Sequence, residues 1–346
     1  MHHNDPAATP PGGIARAGAR PALLLACVAA AVLLALLSMG VGARNIPVEA
    51  VLHALLHPDG GRDAIIVWQL RMPRTVLGIA VGMALAVAGV VMQAVTRNPL
   101  AEPGILGVNS GASLAVVIAI AGFGVTDVSG YIWFAFAGSM LAGLLVYLVS
   151  SRARAGADHV RLVLAGAALS ACLGAGTGII TMFDTDAFDS YRFWVVGALD
   201  NRDPGVSGKV VAFIAAGLAI SMVLGPALNA LALGDDLGAS LGVRVTWVRA
   251  AAFVAIMLLC GAATAAAGPI GFVGLVIPHV LRIVLGADLR RLLLYSLPAG
   301  PVLMLAADIA GRVVAPPGEI EAGIVTAFLG APVLLWLVLR RRDGRI

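Results

Sequence analysis

The sequence predicts an all-α polytopic membrane protein. It reads as ten transmembrane helices in a compact bundle, both termini cytoplasmic, with a short non-spanning helix near 190-199. Three observations carry this. Of the 346 residues, 60% are hydrophobic and only 12% charged, about half the usual charged share. A soluble chain of this length could not hide that much apolar surface in one core, whereas a bilayer replaces water around it. The charges sit between long apolar runs, and the 42 glycines fit helices that pack closely in lipid.

Residues 1–20 are polar and read as a disordered cytoplasmic N-terminus. The run from Pro21 to Val41 is too long for a signal-peptide core and suits a retained first span. Further spans are expected at 75–96, 103–125, 129–151, 162–183 and 209–231. The stretch from Ala250 to Leu281 has no acid, Lys or Arg. It is too long for one helix, and Gly268-Pro269 breaks it, because proline has no N–H to donate. It divides into 249–268 and 271–285. The last spans are 292–311 and 322–339, so residues 21–342 form one transmembrane domain. The segment 190–199 is too short to cross, and Tyr191 and Trp194 are expected as interfacial anchors.

With ten spans both termini share a side. If that side is the cytoplasm, it receives Arg16, Arg20, Arg97, Arg152, Arg154, Arg161, Arg244, Arg249, Arg282, Arg290, Arg291 and the arginines of 340–345, most of the 23 basic residues. That is the positive-inside pattern. Small residues recur four apart at Gly78 and Gly82 and at Gly174 and Gly178, a spacing that lets helix backbones approach.

Catalytic constellations are missing, which argues against an enzyme. Cys27, Cys172 and Cys260 have no metal-ligand spacing, lie in apolar runs and read as buried small hydrophobes. No metal or cofactor site is expected. Gly205-Val206-Ser207-Gly208-Lys209-Val210 is too short for a phosphate loop and lacks its Ser or Thr. No basic patch interleaved with aromatics suggests nucleic acid. Ion-coupled transport places ionisable groups deep in the membrane, and the span middles hold almost none. Asp308, one turn before Arg312, is the nearest candidate, and i,i+4 pairing is its plain reading. A transporter with neither a proton relay nor a nucleotide site must borrow its energy from a soluble ATPase. A secondary transporter and a membrane scaffold or sensor are the rival classes.

Several irregular segments carry a resemblance. They are Arg71-Met72-Pro73-Arg74, Ala88-Gly89-Val90-Val91-Met92-Gln93, and Asn98-Pro99-Leu100-Ala101-Glu102-Pro103-Gly104 running on to Gly107. Gly268-Pro269-Ile270-Gly271-Phe272-Val273-Gly274 leads through Pro278-His279 to Arg282, and Gly323 through Gly330 to Pro332 closes the set. Together they resemble the FecCD-type permeases, the membrane subunits of ABC importers for ferric siderophores, haem and cobalamin, from about residue 20 to the C-terminus.

The resemblance implies a permease in the cytoplasmic (inner or plasma) membrane. It pairs with a second permease chain, as homo- or heterodimer, and with two cytoplasmic ABC ATPases. An extracytoplasmic substrate-binding protein completes the assembly. Arg71, Arg74 and Arg312 match arginines that dock the binding protein. The loop at about 232–247 matches the ATPase coupling segment, through Asp235, Asp236, Ala239, Leu241 and Gly242. Asn98, Pro99, Pro103, Gly104, Pro278 and His279 are family-motif turns. A short helix ending at Gly242 is expected in the coupling loop.

Two departures stand out. Glu319-Ile320-Glu321 replaces the family's Glu-hydrophobic-Pro. Asp158-His159-Val160 stands where a cobalamin member has small hydroxyl residues at its inner gate, which tilts away from cobalamin. The implied function is import of ferric-siderophore chelates by alternating access, with haem or cobalamin as alternatives.

Overall fold

A computed structural model describes residues 13–342 apart from 43, 58–59, 126, 152–157, 201–204 and 316–317. Among the described residues every regular element is a helix. In chain order they are α1 (Gly13–Gly40), α2 (Val48–Leu56), α3 (Arg62–Ile65), α4 (Met72–Val95), α5 (Val108–Phe123), α6 (Val128–Ser151) and α7 (Asp158–Phe183). Then come α8 (Thr185–Val195), α9 (Gly205–Ala232), α10 (Asp235–Ser240), α11 (Val245–Ala267), α12 (Val273–Leu285), α13 (Leu289–Val314) and α14 (Ala322–Arg342). A π-wound stretch, Ile66–Arg71, joins α3 to α4 without a break, and a 3-10 turn, Pro103–Leu106, precedes α5.

Seven helices among the described residues are long and apolar enough to cross a membrane. They are α1 from Pro21, the continuous Arg62–Val95 helix, α6, α7, α9, α11 and α13. The other three expected spans fall on shorter apolar helices, α5, α12 and α14. The break expected at Gly268-Pro269 is present: α11 stops at Ala267 and α12 starts at Val273. Of the expected disordered segment, residues 1–12 lie outside the described residues, and residues 13–20 are the first turns of α1.

α4 is the central helix. It packs against α13, α11, α9 and α12, and most of its length is buried. Lipid gives helices no hydrophobic reason to associate, so contact depends on close backbone approach. α4 achieves this with glycine. A Cβ on Gly82 would meet the Gly300 backbone of α13 at 2.7 Å, and one on Gly89 would overlap the Gly274 carbonyl of α12. α5 and α6 meet in the same way through Gly111 and Gly138. The Gly174 and Gly178 spacing behaves differently, since a Cβ at either position would meet no other helix among the described residues within 4 Å. The cysteines also divide: Cys260 is buried, Cys27 half-buried, and Cys172, on the sparsely packed α7, exposed.

The proline in α12 has a specific remedy. Pro278 sits inside the helix rather than interrupting it, so the expected break at Pro278-His279 is absent. Its missing N–H frees the Gly274 carbonyl four residues back. Gln93 of α4 donates to that carbonyl at 3.3 Å, and its own Oε1 accepts from Arg282 at 3.1 Å. His279 faces the Trp336 ring of α14 edge-on.

The short helix expected near 190-199 lies earlier, at Thr185–Val195. Asp184 caps it by accepting from the Ala187 N–H at 2.8 Å. Trp194 is 1% exposed, so it is a core residue and not an interfacial anchor. Hydropathy misled here because Asp184, Asp186 and Asp189 make the first turns look like loop. The helix α2 and the 62–71 stretch also went unforeseen. They close a small second core of Ile46, Val51, Ala54, Ala64 and Val67 over the end of α1.

Gly89→Val should abolish folding, because its new atoms meet a backbone carbonyl that cannot turn away. The cost should exceed about 3 kcal/mol, read as loss of the monodisperse peak in detergent, while Gly208→Ala, which meets nothing within 4 Å, should leave that peak intact.

Candidate functional site

The residues singled out in the sequence gather at the two ends of α4 and in a groove between them. The 24 residues of α4 separate its ends by ~36 Å.

At the N-terminal end of α4 the three arginines lie close together, and Asp308 pairs with two of them, Arg74 and Arg312. Arg74 Nη2 lies 2.8 Å from Asp308 Oδ1, and Arg74 Nη1 lies 2.7 Å from Glu319 Oε2. Arg312 pairs with Asp308 Oδ2 within α13, the i,i+4 pairing expected from sequence. Arg312 Nη1 also donates to the carbonyls of Ser38 at 2.7 Å and Val41 at 3.0 Å. Arg71 donates to the carbonyls of Met39 at 2.6 Å and of Arg44. Ser38 Oγ accepts from Arg312 at 3.0 Å and shares a hydrogen bond with Thr75 Oγ1.

This wiring has a plain cause. The last carbonyls of a helix have no intrahelical donors, and its C-terminus favours cations. Arg71 and Arg312 cap the C-terminal end of α1. Both residues are buried, so their guanidinium groups face protein rather than solvent. Arg74 lies nearer the surface: its side chain is 11% exposed and that of its partner Glu319 29%, against 1% for Asp308.

Glu321, the charge gained at the departure from the family pattern, sits beside this cluster. Burial, and then the neighbouring Asp200 carboxyl hydrogen-bonded to it, push its carboxyl up to about 7. Two carboxyls can share such a bond only while one holds a proton. Glu319 adds to the rise and Arg74 opposes it.

At the other end of α4 stands α10. It is a six-residue helix closed as expected at Gly242. The Gly242 N–H reaches the Ala239 carbonyl at 2.9 Å and the Val243 N–H the Gly238 carbonyl at 3.1 Å. This paired pattern needs the left-handed φ of 85° that Gly242 supplies. Asp235 is the anchor of the helix: Arg249 of α11 reaches it at 2.8 Å, and Arg97, just past α4, pairs with it too. Arg97 Nε also donates to the Leu231 carbonyl at 3.1 Å. Asp236 and Ala239 are exposed. Around them Leu233, Leu237, Leu241 and Trp247, the last 72% exposed, form an apolar surface on the same short segment.

Between the ends, the Asn98–Gly107 turn packs inward rather than lying on the surface. Ala101, Pro103 and Leu106 are buried. Asn98 Oδ1 accepts from the Leu100 N–H at 3.0 Å, an Asx turn. Glu102 Oε1 accepts the N–H of Phe272 at the start of α12. Sequence reading passed over Glu102 because it lies outside every apolar run. Its signal was a carboxylate between two prolines in a turn joining two buried helices.

Phe272 lines a groove of about 820 Å³. The end of α8, the 269–272 break and α14 form its walls, through Val195, Pro269, Phe272, Ile324, Phe328 and Leu335 among others. No lining residue has a charged or hydrogen-bonding side chain. No group of three His, Cys, Asp or Glu residues among those described could hold a metal ion. The side chains of Asp158 and His159 lie outside the described residues.

Residues 30–340 match the model of the FecCD transport family. The chain is 43% identical over 331 residues to the ferric enterobactin transport system permease protein of Escherichia coli, covering 96% of this chain and 98% of that one. It is 38% identical over 307 residues to the Fe(3+)-citrate import system permease protein of Bacillus subtilis, covering 89% and 91%. Its fold is similar to a metal-chelate type ABC transporter solved in an inward-facing conformation, with a TM-score of 0.81, 28% identity and coverage of 92% and 99%.

Among the described residues, removing Asp308 takes the only paired carboxylate from the buried Arg312 guanidinium and one of two from Arg74. Asp308→Ala should therefore destabilise the chain by about 3–5 kcal/mol, measured by denaturant unfolding in detergent micelles. The Glu321 carboxyl binds its proton more tightly folded than unfolded. The native chain should therefore lose stability as pH rises from about 4.5 towards about 7. Thermal melts across that window should show the slope, and Glu321→Gln should flatten it.

Proposed function

The chain belongs to the FecCD transport family, and from that premise we propose that it is the membrane permease subunit of an ATP-driven importer for ferric siderophores. The relatives named above serve ferric enterobactin and Fe(3+)-citrate. The observation that carries the reading in this chain is the apolar groove of about 820 Å³. It is large enough for a bulky ligand, and a coordinatively saturated ferric chelate needs no metal ligands or charged side chains from its path.

The remaining parts follow from where the chain is left unpartnered. All ten apolar helices cross the membrane, and the basic residues put both termini in the cytoplasm. α5 and α12 manage with fewer turns because their broken ends are bonded to protein instead of lying in lipid. The exposed stripe through Gly174 and Gly178 receives a second permease chain, as small residues allow in lipid. The short rigid α10, with Asp236, Ala239, Leu241 and Gly242 around its exposed face, enters a cleft of the ATPase. On the opposite side Arg74 and Glu319 form the rim on which the binding protein docks, and Arg71 and Arg312 hold that rim in place. ATP binding and hydrolysis move α10, and the helices beside the groove open to one side at a time.

Uptake of radiolabelled iron by cells with and without this chain tests the reading, with ferric catecholate, citrate and hydroxamate chelates offered separately and haem and cobalamin alongside. Loss of one ferric chelate on deletion is the expected result. Unchanged iron uptake with lost haem or cobalamin uptake would overturn the siderophore assignment.

A further inference from the structure

Phe272 holds an unusual conformation. Its φ of 68° and ψ of −21° lie in the left-handed region, which bulky residues rarely adopt. Such a residue keeps that shape only where its surroundings hold it there. Two contacts do so. Its N–H is gripped by Glu102 Oε1, and its ring rests against Gly330 of α14, where any Cβ would overlap it. The same ring forms part of the groove wall.

Glu102 lies five residues beyond Arg97, the residue that holds the Asp235 end of α10 and the Leu231 carbonyl. Arg97 is itself left-handed, at φ 46°. The five-residue connection reaches at most ~17 Å and has little freedom. It contains Pro99, the Asx turn at Asn98, and an Ala101 N–H bonded to the Asn98 carbonyl at 3.0 Å. Pro103 follows it, and the Glu102 carbonyl accepts from Ile105 at 3.1 Å.

We propose that residues 97–102 are the mechanical link between α10 and the groove, and that Glu102 is a positioning residue holding the Phe272 ring as a movable wall of the path. This rests on the importer reading above and names how its two ends communicate. A shift of α10 carries Arg97 with it. The stiff segment delivers that shift to Glu102, and the Phe272 N–H follows. Release of the N–H lets Phe272 relax from its left-handed conformation to an ordinary one, which gives the wall two discrete positions rather than a continuum.

The test uses the full complex of this permease with its ATPase and binding protein in proteoliposomes, and counts ferric chelate imported per ATP hydrolysed. Glu102→Ala removes the acceptor and is expected to hydrolyse ATP near the native rate while chelate per ATP falls about tenfold. Glu102→Gln keeps an acceptor oxygen and is expected to remain coupled. Phe272→Gly accepts the left-handed φ without strain and keeps its N–H, so it is expected to fold and to uncouple like Glu102→Ala. Native chelate per ATP in Glu102→Ala or in Phe272→Gly would overturn the proposal. So would a Glu102→Gln variant as impaired as Glu102→Ala, or a parallel loss of hydrolysis and import, which marks a purely structural role. A native complex that hydrolyses ATP yet imports no ferric chelate would instead overturn the importer reading, and shows itself before any variant is made.

Discussion

Inside a bilayer no water is available to a broken backbone, and every interruption of a helix must find its partner within the protein. The architecture follows from that constraint. Pro278 frees the Gly274 carbonyl, and Gln93 takes it. α12 begins with a free N–H at Phe272, and Glu102 takes that. α1 ends with open carbonyls, and Arg71 and Arg312 cap them. Each remedy is a polar side chain projected from a different segment of the chain, so each also fixes how two elements stand against one another.

α4 and the turns that flank it carry most of these remedies, Arg71 just before it, Gln93 within it and Glu102 beyond it. Gln93 lies near one end, Arg74 at the other, and Arg97 and Glu102 follow in the turn beyond it. Gly82 and Gly89 let α13 and α12 approach close enough for those side chains to reach. The helix therefore works as a rigid spine. Its two ends hold different surfaces: a rim of ion-paired arginines and carboxylates at one, and α10 with its apolar collar at the other. The groove lies between, against Phe272, an aromatic residue whose backbone is held in an unfavourable conformation. Helices near the edge of this arrangement, α7 above all, contribute little to the buried interior and carry exposed small residues. That is the pattern expected of surfaces meant for lipid or another chain.

Much of this was legible in the sequence. Apolar run length located the seven span-length helices and the three shorter apolar ones among the described residues, because a helix of that composition has no aqueous alternative. The bounds were less exact: α1 starts eight residues early, at Gly13, and the helix expected from 75 runs back to Arg62. Gly268-Pro269 marked the α11–α12 break, and Gly242 marked the end of α10, through local backbone rules. The i,i+4 pairing of Asp308 with Arg312 was also a local inference. What escaped was long-range. The family resemblance grouped Arg71, Arg74 and Arg312 as expected docking residues, but could not foresee the carbonyls of α1 that occupy two of them. Glu102 and Phe272 are 170 positions apart, and no local pattern brings them together. Pro278 suggested an interruption because its remedy, Gln93, is on another helix. Trp194 looked like an interfacial anchor because its burial is decided by the elements folded around it.

The most direct test is reconstitution of this chain in proteoliposomes with its ATPase and binding protein, followed by ferric-chelate accumulation with ATP supplied or withheld and with a protonophore present or absent. Accumulation is expected to need ATP and the binding protein and to be indifferent to the protonophore. Accumulation driven by a proton gradient without ATP would contradict an ATP-driven importer.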